Sequence, residues 1–314
     1  MKVSDERFQW QKENIVPKIH NFVVDNSGCK TENLSGTSTI LEVLESFFSR
    51  NIMEKITNEI NKYYDFVVSQ TIPTERSRLK NWKQTNVEEL FIFLAVSFLM
   101  AQVKKQRIVD YWSRDRIIET PMFHEIMSRD RYLIILRLLH FCDNSNVDKN
   151  DHIFKIRSII DYFRETFRNS MYPFENIVID ESLMLFKGQL SHRQYIPSKR
   201  HRFEIKFFKI VDCETGYILD FLIYTGASTE IKEYSNTLGK SGNIVMTLTE
   251  PYWGMRHKLF TDNWYTSPAL YQTLFDKKMN CCGIVKTNRK NMPPLNEKLD
   301  TGEPCFFLQT TYLP

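Results

Sequence analysis

Apolar side chains recur every three or four positions through the first half of the chain, which places them on one face of a helix. The runs with this period are 40–48, 52–60, 90–103, 122–141 and 153–167. Between Gly36 and Gly188 there is no glycine, and glycine is unfavourable inside helices. The pattern therefore predicts a helical region, with Thr85 and Glu88 as a capping box before its most apolar helix.

After Pro173 the apolar period changes from helical spacing to the alternation of strands. We predict strands at 176–186, 203–211, 217–224, 257–261 and 280–287, and helices at 242–250 and 268–277. The order β-β-β-α-β-α-β indicates a mixed sheet with helices packed on it. The predicted fold class is therefore α+β (mixed α/β).

These changes of pattern divide the chain into four parts. Residues 1–36 are polar and are predicted to form a flexible N-terminal segment. A helical domain over 37–173 and a sheet domain over 174–290 follow. The proline-containing remainder, 291–314, is predicted to be an irregular tail.

Composition is that of an ordinary soluble protein, with 42% apolar residues, 25% charged residues and a net charge of +4. The first eleven residues are too polar for a signal peptide, and the apolar run 90–101 is too short to cross a bilayer. None of the six cysteines forms a Cys-x-x-Cys pair, so we expect free thiols. We therefore expect a soluble intracellular protein without a membrane partner.

Two aspartates directly follow short runs at which we expect the first and fourth strands of the sheet core to end: Asp180 after the apolar run 177–179 and Asp262 after 257–261. Three strands followed by αβ units are the order of ribonuclease H-like nucleases, in which these two strands are neighbours, so the carboxylates should converge. Their oxygens suit Mg²⁺, which assists phosphodiester cleavage. A single aspartate after a strand also fits a turn or a helix cap, and both interpretations stay open. Glu181 should face away from Asp180.

A basic cluster lies between the first two predicted strands and within the second. Its members are Lys187, Arg193, Lys199, Arg200, Arg202, Lys206 and Lys209. Only Glu204 opposes them over this stretch, which favours a surface that follows DNA phosphates. The solvated face of an edge hairpin is the alternative.

Several short motifs occur in a fixed order and are more specific together than any one alone. They are Asp180-Glu181-Ser182, Phe186-Lys187-Gly188, Arg193-Gln194-Tyr195, Thr261-Asp262-Asn263-Trp264-Tyr265 and Asn288-Arg289. With matching helical motifs upstream, they resemble the signature of piggyBac-type transposases over roughly residues 40–295.

That resemblance implies a ribonuclease H-like core preceded by a helical domain for DNA binding and dimerisation. Family members cut and paste DNA at TTAA sites with three aspartates and Mg²⁺. By this resemblance Asp180 is the first catalytic and metal-binding aspartate and Asp262 the second. The resemblance also implies transposon-end DNA as a partner, a homodimer and a nuclear location.

The third catalytic aspartate of the family has no counterpart before Pro314. Asp276 and Asp300 are the only later aspartates, and their predicted positions in a helix and a loop do not suit the role. The ribonuclease H-like core is therefore expected to be incomplete. Two carboxylates can hold one Mg²⁺, but a two-metal site needs more ligands.

Three functions remain open from the sequence. The first is a transposable element-derived protein, a DDE/DDD-type transposase relic that retains DNA binding without catalysis. The second is an active Mg²⁺-dependent cut-and-paste transposase or nuclease, if the true product is longer. The third is a non-catalytic protein-interaction module.

Overall fold

A computed structural model of the 314-residue chain describes residues 8–13, 17, 19–22, 27–30, 34–195, 203–295 and 300–309. The chain divides into two compact units. One is Asn33–Phe163, and the other combines Met1–Glu32 with Arg164–Pro314. The assignment of separate functions to these parts stays a prediction.

Most regular structure lies close to where the sequence pattern predicts it. The α-helices of the described residues are α1 (Ile40–Phe47), α2 (Arg50–Gln70), α3 (Val87–Gln102), α4 (Pro121–Ile126), α5 (Arg129–Leu138), α6 (Phe154–Ser170), α7 (Gly239–Thr249) and α8 (Pro268–Asp276). The strands are β1 (Trp10–Gln11), β2 (Gly28–Cys29), β3 (Met171–Tyr172), β4 (Asn176–Leu185), β5 (Gln194–Tyr195), β6 (Phe203–Asp212), β7 (Ile218–Ile223), β8 (Lys258–Thr261), β9 (Asn280–Gly283) and β10 (Leu308–Gln309).

The unit Asn33–Phe163 is helical and has its own apolar core. Its fully buried side chains include Met53 and Ile60 of α2, Val96 of α3, Phe123 of α4 and Ile135 of α5. These positions share the helical period from which the helices were predicted.

The predicted capping box of α3 is wrong by one residue. Asn86, not Thr85, is the N-cap, and its side-chain oxygen accepts the backbone N–H of Glu89 at 2.8 Å. Thr85 instead donates its hydroxyl to the Glu89 carboxylate at 2.7 Å. Asparagine is a good N-cap, and its extended backbone at this position lets the helix begin at Val87.

The second unit is built on the predicted mixed sheet. Among the described residues this sheet has six strands in the order β5-β6-β4-β8-β9, with β7 also paired to β6. Strands β4, β6 and β7 pair antiparallel, whereas β4, β8 and β9 run parallel. Strand β9 ends at Gly283, earlier than predicted, because its neighbour β8 ends at the paired residue Thr261.

Alternate residues of the central strands and the inner faces of α7 and α8 form one apolar core. Ile177 and Ile179 of β4 are fully buried in it, together with Ile244 of α7 and Leu270 of α8. This core fixes the position of β4 and β8, on which both candidate aspartates depend.

The described parts of the N-terminal segment are not a free lead-in. Strand β1 pairs with β10 of the C-terminal tail, and β2 pairs with β3. The Trp10 indole N–H donates to the Asn291 carbonyl at 3.0 Å. Polar composition predicted flexibility, but backbone pairing with edges of the second unit orders these residues.

The six cysteines are free thiols, as predicted. Cys281 packs against the core while its neighbour Cys282 is exposed, because successive side chains of a strand alternate. No helix among the described residues is long and apolar enough to cross a membrane.

His257 lies just before β8 and is completely buried. Its Nδ1 is 2.9 Å from the Phe174 carbonyl, to which it donates as an N–H, and its ring contacts Phe22 with centroids 5.0 Å apart. Burial lowers the pKa of His257, so the folded protein favours the neutral imidazole.

We therefore expect the free energy of unfolding to fall as pH drops below about 6.5, where the unfolded histidine takes up a proton that the folded one excludes. The loss should approach about 1.4 kcal/mol for each pH unit below that value. Urea unfolding at pH 7.5 and 5.5 measures this loss of unfolding free energy.

His257→Asn, whose amide can replace the Nδ1–H donor, should reduce the difference in unfolding free energy between pH 7.5 and pH 5.5. The exposed-site variant His152→Asn should retain it, and an unchanged difference in His257→Asn would contradict the assignment.

Candidate functional site

Asp180 and Asp262 occupy adjacent positions on neighbouring parallel strands. In the pairing of β4 with β8, Ile179 is opposite Thr261. Asp180 directly follows Ile179, and Asp262 directly follows Thr261. Both aspartate side chains are exposed. The structure thus places the two aspartates at neighbouring positions where β8 ends. Asp180 itself does not end its strand, contrary to the prediction, because β4 continues to Leu185 in pairing with β6.

Each carboxylate is held by one backbone hydrogen bond. The Oδ1 atom of Asp180 accepts the Glu181 N–H at 2.7 Å, and the Oδ1 atom of Asp262 accepts the Trp264 N–H at 2.9 Å. The turn interpretation of Asp262 is therefore correct for one of its oxygens, whereas the helix cap is wrong, because α8 begins at Pro268 with Ser267 as its N-cap. The second oxygen of each aspartate makes no hydrogen bond or ion pair within the described residues, which leaves it available to a ligand.

This donor set fits a single hard cation better than a pair of metals. Among the described residues, no group of three His, Cys, Asp or Glu side chains could hold a metal ion. Asp276 ends α8 and accepts a hydrogen bond from Gln272, and Asp300 lies in a turn with Glu303. Two carboxylates with open oxygens suit Mg²⁺, which keeps several waters.

Glu181 lies on the opposite face of β4, as the alternation of the strand predicts. It is opposite Phe208 of β6, and its Oε1 accepts a hydrogen bond from Lys206 Nζ at 2.5 Å. The Lys206 ammonium also lies 4.9 Å from the ring centroids of Phe208 and Trp264. Lys206 is thus already paired, which sequence reasoning missed when it grouped this residue with the exposed basic cluster.

The other described members of the basic cluster have different surroundings. Lys187 is exposed in the loop after β4. The Arg193 guanidinium donates to the Gly188 carbonyl at 2.7 Å and lies 4.1 Å from the Phe203 ring centroid. Lys209 lies opposite Asp180 in the antiparallel register of β6 with β4.

The remaining three members, Lys199, Arg200 and Arg202, lie outside the described residues. Lys206 and Lys209 face opposite sides of the sheet, since they are three residues apart on one strand. The described cations therefore do not form one continuous surface. Lys209 is the member that the pairing sets beside a candidate aspartate.

Tyr265 lies close to the carboxylates and was not singled out from the sequence. Its side chain is 1% exposed, and its hydroxyl has no hydrogen-bond partner among the described residues. Burial raises the pKa of Tyr265, and the negative charges of Glu181, Asp262 and Asp180 raise it further. The phenol therefore stays neutral and keeps its proton, so its hydroxyl remains a hydrogen-bond donor.

A buried group of hydroxyls holds the turn that begins at Asp262. The Thr266 hydroxyl donates to the Asp262 carbonyl at 2.7 Å, and Thr261 Oγ1 lies 2.8 Å from Thr266 Oγ1 and 2.9 Å from the Tyr271 hydroxyl. Burial raises the pKa of Tyr271 to about 12, so this hydroxyl remains a donor. A Cβ atom on Gly283 would lie 2.3 Å from the Thr261 carbonyl and the Tyr271 hydroxyl, so only glycine fits there.

Comparison with known proteins now decides the family. The family model described as Transposase IS4 matches residues 40–309, which is most of the chain. The chain belongs to this family, in its piggyBac-type group. The resemblance seen in the sequence motifs is thereby confirmed.

Two human relatives illustrate the similarity. The chain is 27% identical over 259 residues to PiggyBac transposable element-derived protein 3 of Homo sapiens, covering 82% of this chain and 41% of the relative. It is 23% identical over 298 residues to PiggyBac transposable element-derived protein 2 of Homo sapiens, covering 92% and 46%. The chain thus spans less than half the length of these curated relatives.

A solved structure of a piggyBac transposase synaptic complex with hairpin DNA shares the fold. It superposes with a TM-score of 0.75 at 24% sequence identity, covering 89% of this chain and 57% of that one. The predicted α+β class with a ribonuclease H-like mixed sheet is therefore confirmed for this piggyBac-type chain.

We expect Gly283→Ala to destabilise the sheet unit by about 1–3 kcal/mol, because the added methyl overlaps a backbone oxygen that cannot move away freely. Denaturant unfolding followed by tyrosine and tryptophan fluorescence measures the change. Cys282→Ala, at the exposed neighbouring position of β9, is the matched control and should unfold like the wild type. Equal midpoints for Gly283→Ala and Cys282→Ala would contradict the packing described here.

Proposed function

We propose that this piggyBac-type chain binds DNA and holds a single divalent cation between Asp180 and Asp262. The parallel register of β4 with β8 carries the proposal, since it sets two carboxylates at adjacent strand positions. Adjacent like charges are unfavourable unless a cation or a proton offsets them. Lys209 lies opposite Asp180 in the register of β4 with β6, on the same face of the sheet.

Mg²⁺ is the cation that this site suits, because the donors are oxygens and few in number. Asp180 and Asp262 would hold it through the oxygens that the backbone does not occupy. When bound, Mg²⁺ supplies positive charge that polarises a phosphate oxygen. No third carboxylate joins the pair among the described residues, so we expect this chain to bind DNA without efficient cleavage.

Phosphate contacts are proposed for the basic cluster. Lys187, Arg193 and Lys209 are the described members, and Lys199, Arg200 and Arg202 are proposed from their charge alone. Lys206 contributes least, because its ammonium is already paired with Glu181. A neighbour of the same fold is solved as a complex with hairpin DNA, which supports DNA as the ligand.

The finer identity of the partners follows from the family resemblance. We infer TTAA-type transposon ends as the preferred DNA, a homodimer as the assembly and the nucleus as the location. Each of these inferences depends on the chain acting on DNA, so DNA and metal binding are the properties to test first.

We expect the wild-type chain to bind about one Mn²⁺, used as a paramagnetic substitute for Mg²⁺, and Asp180→Asn or Asp262→Asn to abolish that binding, because each removes an anionic ligand. Electron paramagnetic resonance of free Mn²⁺ measures the bound fraction.

Asp276→Asn is the matched control, since it removes one carboxylate at the far end of α8. Mn²⁺ binding that survives both site variants would contradict the proposed metal site. Mg²⁺-dependent strand cleavage that is abolished in Asp180→Asn would instead establish the active-transposase alternative.

We also expect Arg200→Ala with Arg202→Ala to weaken binding of all DNA duplexes about equally, because phosphate contacts carry no base information. The slope of log affinity against log salt should become shallower by roughly 1 for each phosphate that the variant no longer neutralises. Fluorescence anisotropy with duplexes of different sequence, in EDTA, measures both effects.

The control is Lys277→Gln with Lys278→Asn. It also removes two positive charges, at the C-terminal end of α8. Asparagine tolerates the positive φ of Lys278, 60°. This control should bind as the wild type does. If the two double variants lose equal affinity, general electrostatic attraction is responsible and the basic cluster has no special role.

A further inference from the structure

A short cationic segment follows β9 and contains Lys286, Arg289 and Lys290. The two lysines are exposed, whereas Arg289 is half-buried. The Arg289 Nη2 group donates to the carbonyl of Asn263 at 3.1 Å and also to the carbonyl of Trp264. Arg289 is therefore directed towards the protein and contacts the two residues that follow Asp262.

We propose that Arg289 is a positioning residue that fixes the turn carrying Asp262, and through it the alignment of Asp262 with Asp180. The inference deepens the proposed metal site and rests on it for its functional consequence. The contacts that carry it are independent of any bound ligand.

The turn is held from one side by groups within its own segment. The Asp262 carbonyl accepts the backbone N–H groups of Tyr265 at 3.3 Å and Thr266 at 3.1 Å, in addition to the Thr266 hydroxyl. These bonds use the Asp262 carbonyl and leave those of Asn263 and Trp264 for another donor. Arg289 provides it, from a segment more than twenty residues later in the chain.

The chemistry of the guanidinium suits this task better than that of an ammonium. Both hydrogen bonds come from Nη2, whose two N–H groups are fixed in the guanidinium plane, whereas the N–H groups of a lysine ammonium rotate at the end of a flexible chain. The Arg289 Nε atom is buried and has no hydrogen-bond partner among the described residues. A residue that served mainly as a phosphate contact would direct its donors to solvent.

A small rotation of the turn would move the Asp262 carboxylate relative to Asp180, which is fixed within the long strand β4. Residues that orient metal ligands commonly change metal affinity by about 10–100-fold when replaced. The expected result of removing Arg289 is thus a weaker cation site in which both ligands remain.

The test compares Arg289→Lys with Lys290→Ala in the full chain. Arg289→Lys keeps the positive charge and removes the planar donor, while Lys290→Ala removes an exposed charge from the same segment. Hydrogen–deuterium exchange of a peptide spanning residues 262–267, without metal, reports on the turn. Mn²⁺ affinity reports on the site, and anisotropy in EDTA reports on DNA binding.

We expect Arg289→Lys to accelerate exchange in 262–267 and to weaken Mn²⁺ binding about 10-fold or more, with unchanged DNA affinity. Lys290→Ala should leave exchange and Mn²⁺ affinity as in the wild type. Exchange of peptides from β6 and α7 serves as the internal reference for folding, so that general destabilisation is recognised. If Arg289→Lys then destabilises the whole unit, Arg289→Gln, which keeps a planar amide donor, provides the second comparison, and it should partly restore slow exchange.

Exchange in 262–267 that is equal in the wild type, Arg289→Lys and Lys290→Ala would overturn the inference. A loss of DNA affinity in Arg289→Lys, with unchanged exchange, would overturn it in favour of phosphate contact. If Arg289→Lys exchanges faster in 262–267 but the wild type binds no Mn²⁺, the positioning of the turn is supported and the proposed metal site is refuted. The two proposals therefore fail separately.

Discussion

The parallel pairing of β4 with β8 is the constraint on which the candidate site depends. The two strands run in the same direction, so a register that matches Ile179 with Thr261 brings the following aspartates to neighbouring positions. The register is itself set by the buried core, because a slip of one residue would turn Ile177 and Ile179 away from α7 and α8. The carboxylate pair is thus a consequence of apolar packing on the other face of the same strands.

The turn after β8 needs separate support, since it has no strand partner. Hydrogen bonds among the hydroxyl groups of Thr261, Thr266 and Tyr271 connect the turn to the end of β8. Gly283 lets β9 approach these hydroxyl groups closely. Arg289 holds the outer carbonyls of the turn. The packing around the turn therefore holds Asp262 at its position beside β4 independently of any ligand.

The sequence predicted most of this fold because its strands and helices have clear periods. It also predicted Asp180 and Asp262 as neighbours, because the strand order is that of ribonuclease H-like nucleases, in which the first and fourth strands are adjacent. Contacts that depend on the tertiary path could not be read in the same way. Lys206 belonged to a run of cations, yet its pairing with Glu181 depends on which face of β6 it occupies. Arg289 stood in the sequence only as part of the motif Asn288-Arg289, and its contact with Trp264 depends on the return of the chain after β9.

The central claim is that Asp180 and Asp262 together hold one cation. Replacement of Mg²⁺ by Fe²⁺, followed by ascorbate and peroxide, generates hydroxyl radicals that cut the polypeptide next to the bound ion, and mass spectrometry locates the cuts. The account predicts cleavage in two places, near residue 180 in β4 and near residue 262 after β8, suppressed by excess Mg²⁺. Cleavage at only one of them, or scattered along the chain and insensitive to Mg²⁺, would contradict it.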